Sequence, residues 1–163
     1  EDDPVVLQDV IELYKKLSGA IASVPRKLGL EASFEPGHPG VCPNMIVAGK
    51  KISGNAQARK RGVILQHGTL LLDCDLEIMA KVLRMPFSLI DNKITTVERE
   101  LRKSSYQGEE VPANATLVED TLRAGFEESL GVKLVDGEVT KFESHEAEIL
   151  RKKYASAEWT KMR

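Results

Sequence analysis

At 163 residues and 18.0 kDa the chain has the size of one ordinary domain. With 42% hydrophobic and 29% charged residues it can bury a core, and no apolar run approaches the roughly 18 residues that span a bilayer. Two cysteines, Cys42 and Cys74, are too few for a disulfide framework or a Cys-built zinc site, and with no signal-peptide pattern they point to a reducing, cytoplasmic setting. A net charge of −2 argues against general nucleic-acid or membrane-surface binding.

Asp3 and Pro4 form a favourable N-cap and first-turn pair. Val6, Val10, Leu13, Leu17, Ile21, Val24 and Leu28 follow at steps of three and four, which predicts an amphipathic helix over 4–28 that ends at Gly29, with room for a kink at Pro25. A short strand is expected over 31–35, then a loop through Pro36 and Gly40. Residues 45–48 and 63–72 read as strands buried on both faces, with the polar run 50–61 as their connection. Asp75 caps a helix with Leu76, Met79, Ala80 and Leu83 on one face, stopped before Pro86. Residues 88–115 read as mixed helix and loop. Thr116 and Glu119 form a capping box for a helix through Val118, Leu122, Phe126 and Leu130 to Gly131. A strand over 132–136 and a charged helix over 143–154 close the chain. Strands and helices mix without a βαβ rhythm, so the class is α+β.

The balanced total hides an asymmetry. Between Glu35 and Asp73 there is no acidic residue, while Lys50, Lys51, Arg59, Lys60 and Arg61 all fall there. The rest of the chain carries 18 basic against 25 acidic residues, a net of −7. An acid-free island in an acidic protein suits an anion; a solvated loop face is the plain alternative.

Two segments inside or beside that island carry candidate chemistry. In 63–72, Gln66, His67 and Thr69 interrupt an apolar strand and need partners, while Gly68 lets backbone or ligand approach closely. A core histidine bonded to a carbonyl is the simpler reading of His67. In 49–57, a lysine beside a small, Gly-containing turn can aim an ammonium and backbone N–H groups at one oxyanion. A tight connection with two solvated lysines is the alternative there. His38 and His145 read as surface residues.

Taken together, Gly49-Lys50-Lys51-Ile52-Ser53-Gly54-Asn55-Ala56-Gln57 and Gln66-His67-Gly68-Thr69-Leu70 resemble the lipoate–protein ligase and octanoyltransferase family, with biotin–protein ligases as more distant relatives. Pro43-Asn44 and the tail from Lys153-Tyr154 to Glu158-Trp159 fit the same pattern. The resemblance implies an α+β fold with a mixed or antiparallel sheet packed against helices, biotin/lipoate–protein ligase-like. Residues 1–115 are then the second half of the catalytic domain, and 116–163 a C-terminal helix–strand–helix region of it.

The activity implied is a lipoate–protein ligase, which activates lipoate with ATP and Mg2+ to lipoyl-AMP and passes the lipoyl group to a lysine of a lipoyl domain. Lys51 is the implied catalytic residue. Ser53, Gly54, Asn55 and Ala56 would shape the turn against substrate and nucleotide, and His67 and Gly68 would line the pocket. No protein metal-ligand set is read. Met45 stands where ligases usually place an acid, and a thioether is a poor magnesium ligand. One rival is an octanoyltransferase fed by acyl-carrier protein, for which Cys42, in the loop before the strand, is a candidate nucleophile. Another is a non-catalytic accessory subunit of a split ligase. The family's Arg-Arg-x-x-Gly-Gly-Gly type motif is absent here. The expected partners are therefore a lipoyl-domain acceptor and a separate N-terminal ligase chain, or self-association, with no nucleic acid and no membrane.

Overall fold

The computed structural model describes residues 9–38, 40–104 and 114–162. They divide into two compact units, Glu1–Lys133 and Leu134–Arg163.

The first unit opens with helix α1, Val10–Lys27, whose N-cap is Asp9, accepting from the Glu12 N–H at 2.8 Å. The Asp3–Pro4 start lies outside the described residues. Pro25 sits in the last turn, where it interrupts little. The predicted stripe and the buried surface coincide only in part: Val10 is exposed, and Leu17, Ile21 and Leu28 are half-buried. Leu13 and Val24 are buried as expected, but Tyr14, Ser18, Ala20 and Ala22 are buried too, because two layers press on this helix. One is the sheet; the other is α5.

Four antiparallel strands follow in the order β1 (Ala32–Glu35), β2 (Asn44–Val47), β3 (Lys50–Lys60) and β4 (Val63–Gly68). The polar run 50–61, expected as a connection, is the longest strand. It is bounded by two two-residue turns, Ala48–Gly49 and Arg61–Gly62, with positive φ at all four residues as tight hairpins of the I′ kind require. Residues 63–72 are a second correction. The strand ends at Gly68, and it lies at the sheet edge with Val63 and Leu65 about two-thirds exposed rather than buried on both faces.

Between β4 and α5 the chain forms α2 (Leu76–Leu83), α3 (Phe87–Lys93) and α4 (Val97–Ser104). Asp75 caps α2 as predicted, accepting from the Glu77 and Ile78 N–H groups at 2.9 Å each. Helix α5, Ala115–Leu130, is capped by Asn114 and not by Thr116, which lies inside it; Gly131 closes it in the left-handed region. It packs on α1, where Ser23 donates to the Thr121 carbonyl at 3.1 Å.

Ala22, Leu30, Ala32, Met45, Val47, Ile52, Val97 and Leu101 form the main core between α1, the sheet and α4. Each large apolar side chain buried there contributes roughly 1.5–3 kcal/mol.

The second unit holds α6 (Lys141–Ala155) and α7 (Ala157–Thr160). The expected strand over 132–136 is not formed. A capping box of Thr140 and Glu143 starts α6, and the Thr140 N–H is the first of the bonds that hold the Glu143 carboxyl below its ordinary range. Trp159 stacks edge-on to Tyr154 at 4.8 Å, with the Lys153 ammonium near both rings.

Candidate active site

Strand β3 sets the geometry. Met45 pairs with Ser53 and Ile46 with Lys51, so Ile52 is an extra residue, a bulge in the ladder. Alternation then changes phase. Ile52 and Ser53 both turn inward and are fully buried, while Lys51 and Gly54, three apart, share the outer face. With them on that face stand Ala56 and Ala58 of β3, and Val63, Leu65 and His67 of β4, by the register Ala56–His67, Ala58–Leu65 and Lys60–Val63. The inner face carries Lys50, Ser53, Asn55 and Gln57, covered by α1 and the helices after β4.

The Lys51 side chain lies across Gly54. Its Cε and Nζ are 3.0 Å from the point a Cβ on Gly54 would occupy, and Thr69 Oγ1 is 4.0 Å from the same point. Thr69 is tied in by backbone, donating its N–H to the Gly54 carbonyl at 3.0 Å. Among the described residues no acid pairs with Lys51. The one acid in the described strands, Glu35, lies two strands away and accepts from Asn44 at 3.5 Å. Lys50 is spent internally, donating to the Asp91 carbonyl at 2.5 Å. Asp91 in turn pairs with Arg99 at 2.5 Å, and this bond leads the effects that lower its carboxyl below the ordinary range.

The other predicted residues separate. Gly54, Ala56 and His67 join Lys51 on the outer face. The Ser53 hydroxyl is buried without a partner in the core. Asn55 turns inward, donating to the Pro43 carbonyl at 3.4 Å. Gly68 makes room for it, since a Cβ there would stand 2.5 Å from Asn55 Oδ1. Cys42 is an exposed free thiol. It lies close enough to Tyr14 to help raise that phenol, behind burial and against Arg59 and the Gln57 backbone. A cavity of about 260 Å³ adjoins Thr69 and His67 and reaches Leu17, Ile21, Leu122 and Phe126.

Sequence reasoning missed two groups. Thr69, a polar interruption in the sequence, has its hydroxyl 4.0 Å from the same Gly54 point that the Lys51 ammonium approaches. Thr95 donates its N–H to the Lys51 carbonyl at 3.0 Å. The Thr-Thr pair before α4 is the signal that marks it, since Thr96 accepts from the Arg99 N–H as a cap does.

The outer face therefore offers an ammonium, a hydroxyl and an imidazole beside apolar surface. That set suits an oxyanion attached to an acyl chain. It does not make a magnesium site, which needs several hard oxygen ligands. Met45, at the position where an acid is expected in ligases, is core, 1% exposed.

Residues 3–115 match the family described as Lipoyl protein ligase A/B catalytic domain. The chain belongs to this family, whose members include lipoate–protein ligases and octanoyltransferases. Among its curated relatives it is 36% identical to an octanoyltransferase LipM of Kyrpidia tusciae and 31% to that of Geobacillus kaustophilus. Each comparison covers 98% of this chain and 64% of the relative, so the chain spans under two-thirds of their length. A lipoate–protein ligase A described as bound with ATP has the same fold, with TM-score 0.73 and 26% identity over 94% of this chain and 60% of that one. A further fold match, at TM-score 0.70 and 23% identity over 94% of this chain and 58% of that one, is the bi-partite lipoate protein ligase from Thermoplasma acidophilum. No helix among the described residues is long and apolar enough to cross a membrane.

Proposed function

We propose that this chain carries the catalytic lysine of an acyltransferase that moves an octanoyl group from a thioester on acyl-carrier protein to a lysine of a lipoyl domain. The observation that carries this reading is the Lys51 ammonium, held across Gly54 on an apolar outer face with no acid paired to it among the described residues. As the acceptor amine attacks the thioester carbonyl, negative charge grows on the carbonyl oxygen. Lys51 stabilises that charge; the amine loses a proton and the carrier leaves as its thiol. Ala56 and Leu65 supply apolar surface for the alkyl chain, and His67 and Thr69 border the reacting group. The names of the relatives at 36% and 31% identity support the octanoyl donor.

ATP-dependent lipoate ligation is the second reading, favoured by the 26%-identical fold match described with ATP. ATP would supply the adenylyl group that activates a free carboxylate. Lys51 would hold that carboxylate, and later the acyl carbonyl, in the same place.

Both readings need more chain. Val63 and Leu65 leave an apolar edge hairpin open, which invites pairing with another strand. A segment equivalent to the remaining third of the relatives belongs on this face, burying well over about 2,000 Å² as obligate partners do. Sedimentation checks this: self-association is expected without that segment and a stable complex with it. A well-behaved 18.0 kDa monomer that ignores it would overturn the proposal.

The deciding assay supplies the part of the Kyrpidia relative that this chain does not cover, and a lipoyl-domain acceptor. Transfer from octanoyl-carrier protein without ATP is expected. Transfer only from free lipoate with ATP would establish the second reading instead, and neither would leave the accessory-subunit role.

A further inference from the structure

Lys51 is held from behind by a device that the reaction itself does not use. Residues 94–96 run parallel to the start of β3, with Ile94 bridging Lys51 and the Thr95 N–H donating to the Lys51 carbonyl at 3.0 Å. The Val97 and Glu98 N–H groups then donate to the Leu71 and Leu72 carbonyls, 2.9 Å each, which ties the segment to the chain just beyond β4 as well as to β3. Thr95 is fully buried, and its hydroxyl donates to Oε1 of Glu100. Glu100 is itself 6% exposed and holds Lys103 at 2.6 Å.

A buried carboxylate is a poor way to gain stability, because apolar residues of the same volume usually pack as well. What it supplies here is position. The bulge at Ile52 lies one residue beyond the Lys51 carbonyl, and a slip of one residue in this ladder would exchange the faces of Lys50 and Lys51. Lys50 would point outward and the candidate catalytic ammonium inward.

We propose that Glu100, acting through Thr95, is a positioning residue that locks the bulge register and so keeps the Lys51 ammonium on the outer face. The inference rests on Lys51 being the working lysine of the proposed transfer. Its structural half stands apart from that reading.

The test uses Thr95→Val, which keeps shape and N–H but removes the hydroxyl, with Thr95→Ser as the rescue and Glu100→Gln as a second variant. Amide exchange at residue 95 should speed up about tenfold relative to the fully buried Ile52 amide, the scale of one hydrogen bond to a charged group. In the transfer assay kcat should fall about tenfold with KM within about twofold, and Thr95→Ser should restore both measures. Lys51, followed by NMR after reductive methylation and assigned with Lys51→Arg, should give a second, exchanging signal in Thr95→Val. A uniform rise in exchange at every amide would reduce Thr95 to a structural role and overturn the proposal. So would a Thr95→Val variant with unchanged exchange at residue 95 and an unsplit Lys51 signal. Failure of the unmodified protein to transfer any acyl group would refute the proposed function, while exchange and NMR would still decide the lock.

Discussion

The two ends of β3 are built from similar residues and live in different surroundings. From Lys50 to Gly54 the strand has β2 on one side and residues 94–95, then 69–71, on the other, and Ile52 and Ser53 are wholly buried. Beyond Ala58 it pairs with β4 alone, and the hairpin leaves Val63 67% and Leu65 65% exposed. Neighbours decide the difference, since polar residues dominate both ends. A fixed end suits an ammonium whose position sets a rate; an open apolar end suits docking of further chain.

The sharpest way to break this contrast is Lys51→Ala. Loss of a charge-stabilising donor should cost roughly 10²–10³ in transfer rate with the unfolding midpoint unchanged. Lys50→Ala should stay within a few fold in rate. It should instead lower stability by roughly 1.5–3 kcal/mol, read in urea, because its bond to the Asp91 carbonyl is lost. Equal rate losses for the two lysines would erase the distinction between faces.

The glycines give the next largest effect. Gly54→Ala meets only the flexible end of Lys51, so about a tenfold rate loss with little change in stability is expected. Gly68→Ala meets Asn55 Oδ1 at 2.5 Å and the Gly54 carbonyl at 3.2 Å, so it should destabilise by roughly 1–3 kcal/mol. A reversal of these two outcomes would place Lys51 elsewhere.

Acid should loosen the fixed end before the rest of the first unit. Burial alone would raise the Glu100 carboxyl, but its bonds to Lys103 and Thr95 outweigh burial and lower it from the ordinary 4.5. A carboxylate lowered in the folded state contributes stability above its unfolded pKa and loses it as pH falls through the folded one. Urea midpoints of the wild type should therefore drop faster below about pH 4.5 than those of Glu100→Gln. Parallel curves would remove Glu100 from the acid response.

The smallest effect is expected at Cys42. If the transfer is ATP-dependent ligation, no enzyme nucleophile is needed and Cys42→Ser should keep most activity. Complete loss, with a trappable acyl-thioester on the wild type, would route the transfer through this thiol.

Much of the fold was legible where a local rule acts alone. Asp75 as a cap, Gly131 as a helix stop and the α1 stripe follow from spacing, and the joint motif around Lys51 and His67 identified the family. The misses share a physical cause. The strand over 50–60 hides its pattern because the Ile52 bulge shifts the alternation midway, and its turns use Ala48 and Arg61 at positive φ where Asn or Asp would have signalled a hairpin. Residues 63–68 look buried by composition because the apolar side chains of an edge hairpin and of a central strand read alike. Ser53 and Asn55 were grouped with Lys51 by adjacency, whereas the bulge turns them to the opposite face.

Trp159 is the only tryptophan in the chain, and it sits in the second unit against Tyr154 and Lys153. Indole emission is therefore a local spectroscopic reporter. A nearby ammonium and an edge-on phenol ring make it sensitive to the α6–α7 corner, and unfolding that corner will shift its spectrum. A denaturation curve read by fluorescence times the melting of those two helices, and events at the Lys51 sheet need a clock of their own, such as amide exchange at Ile52.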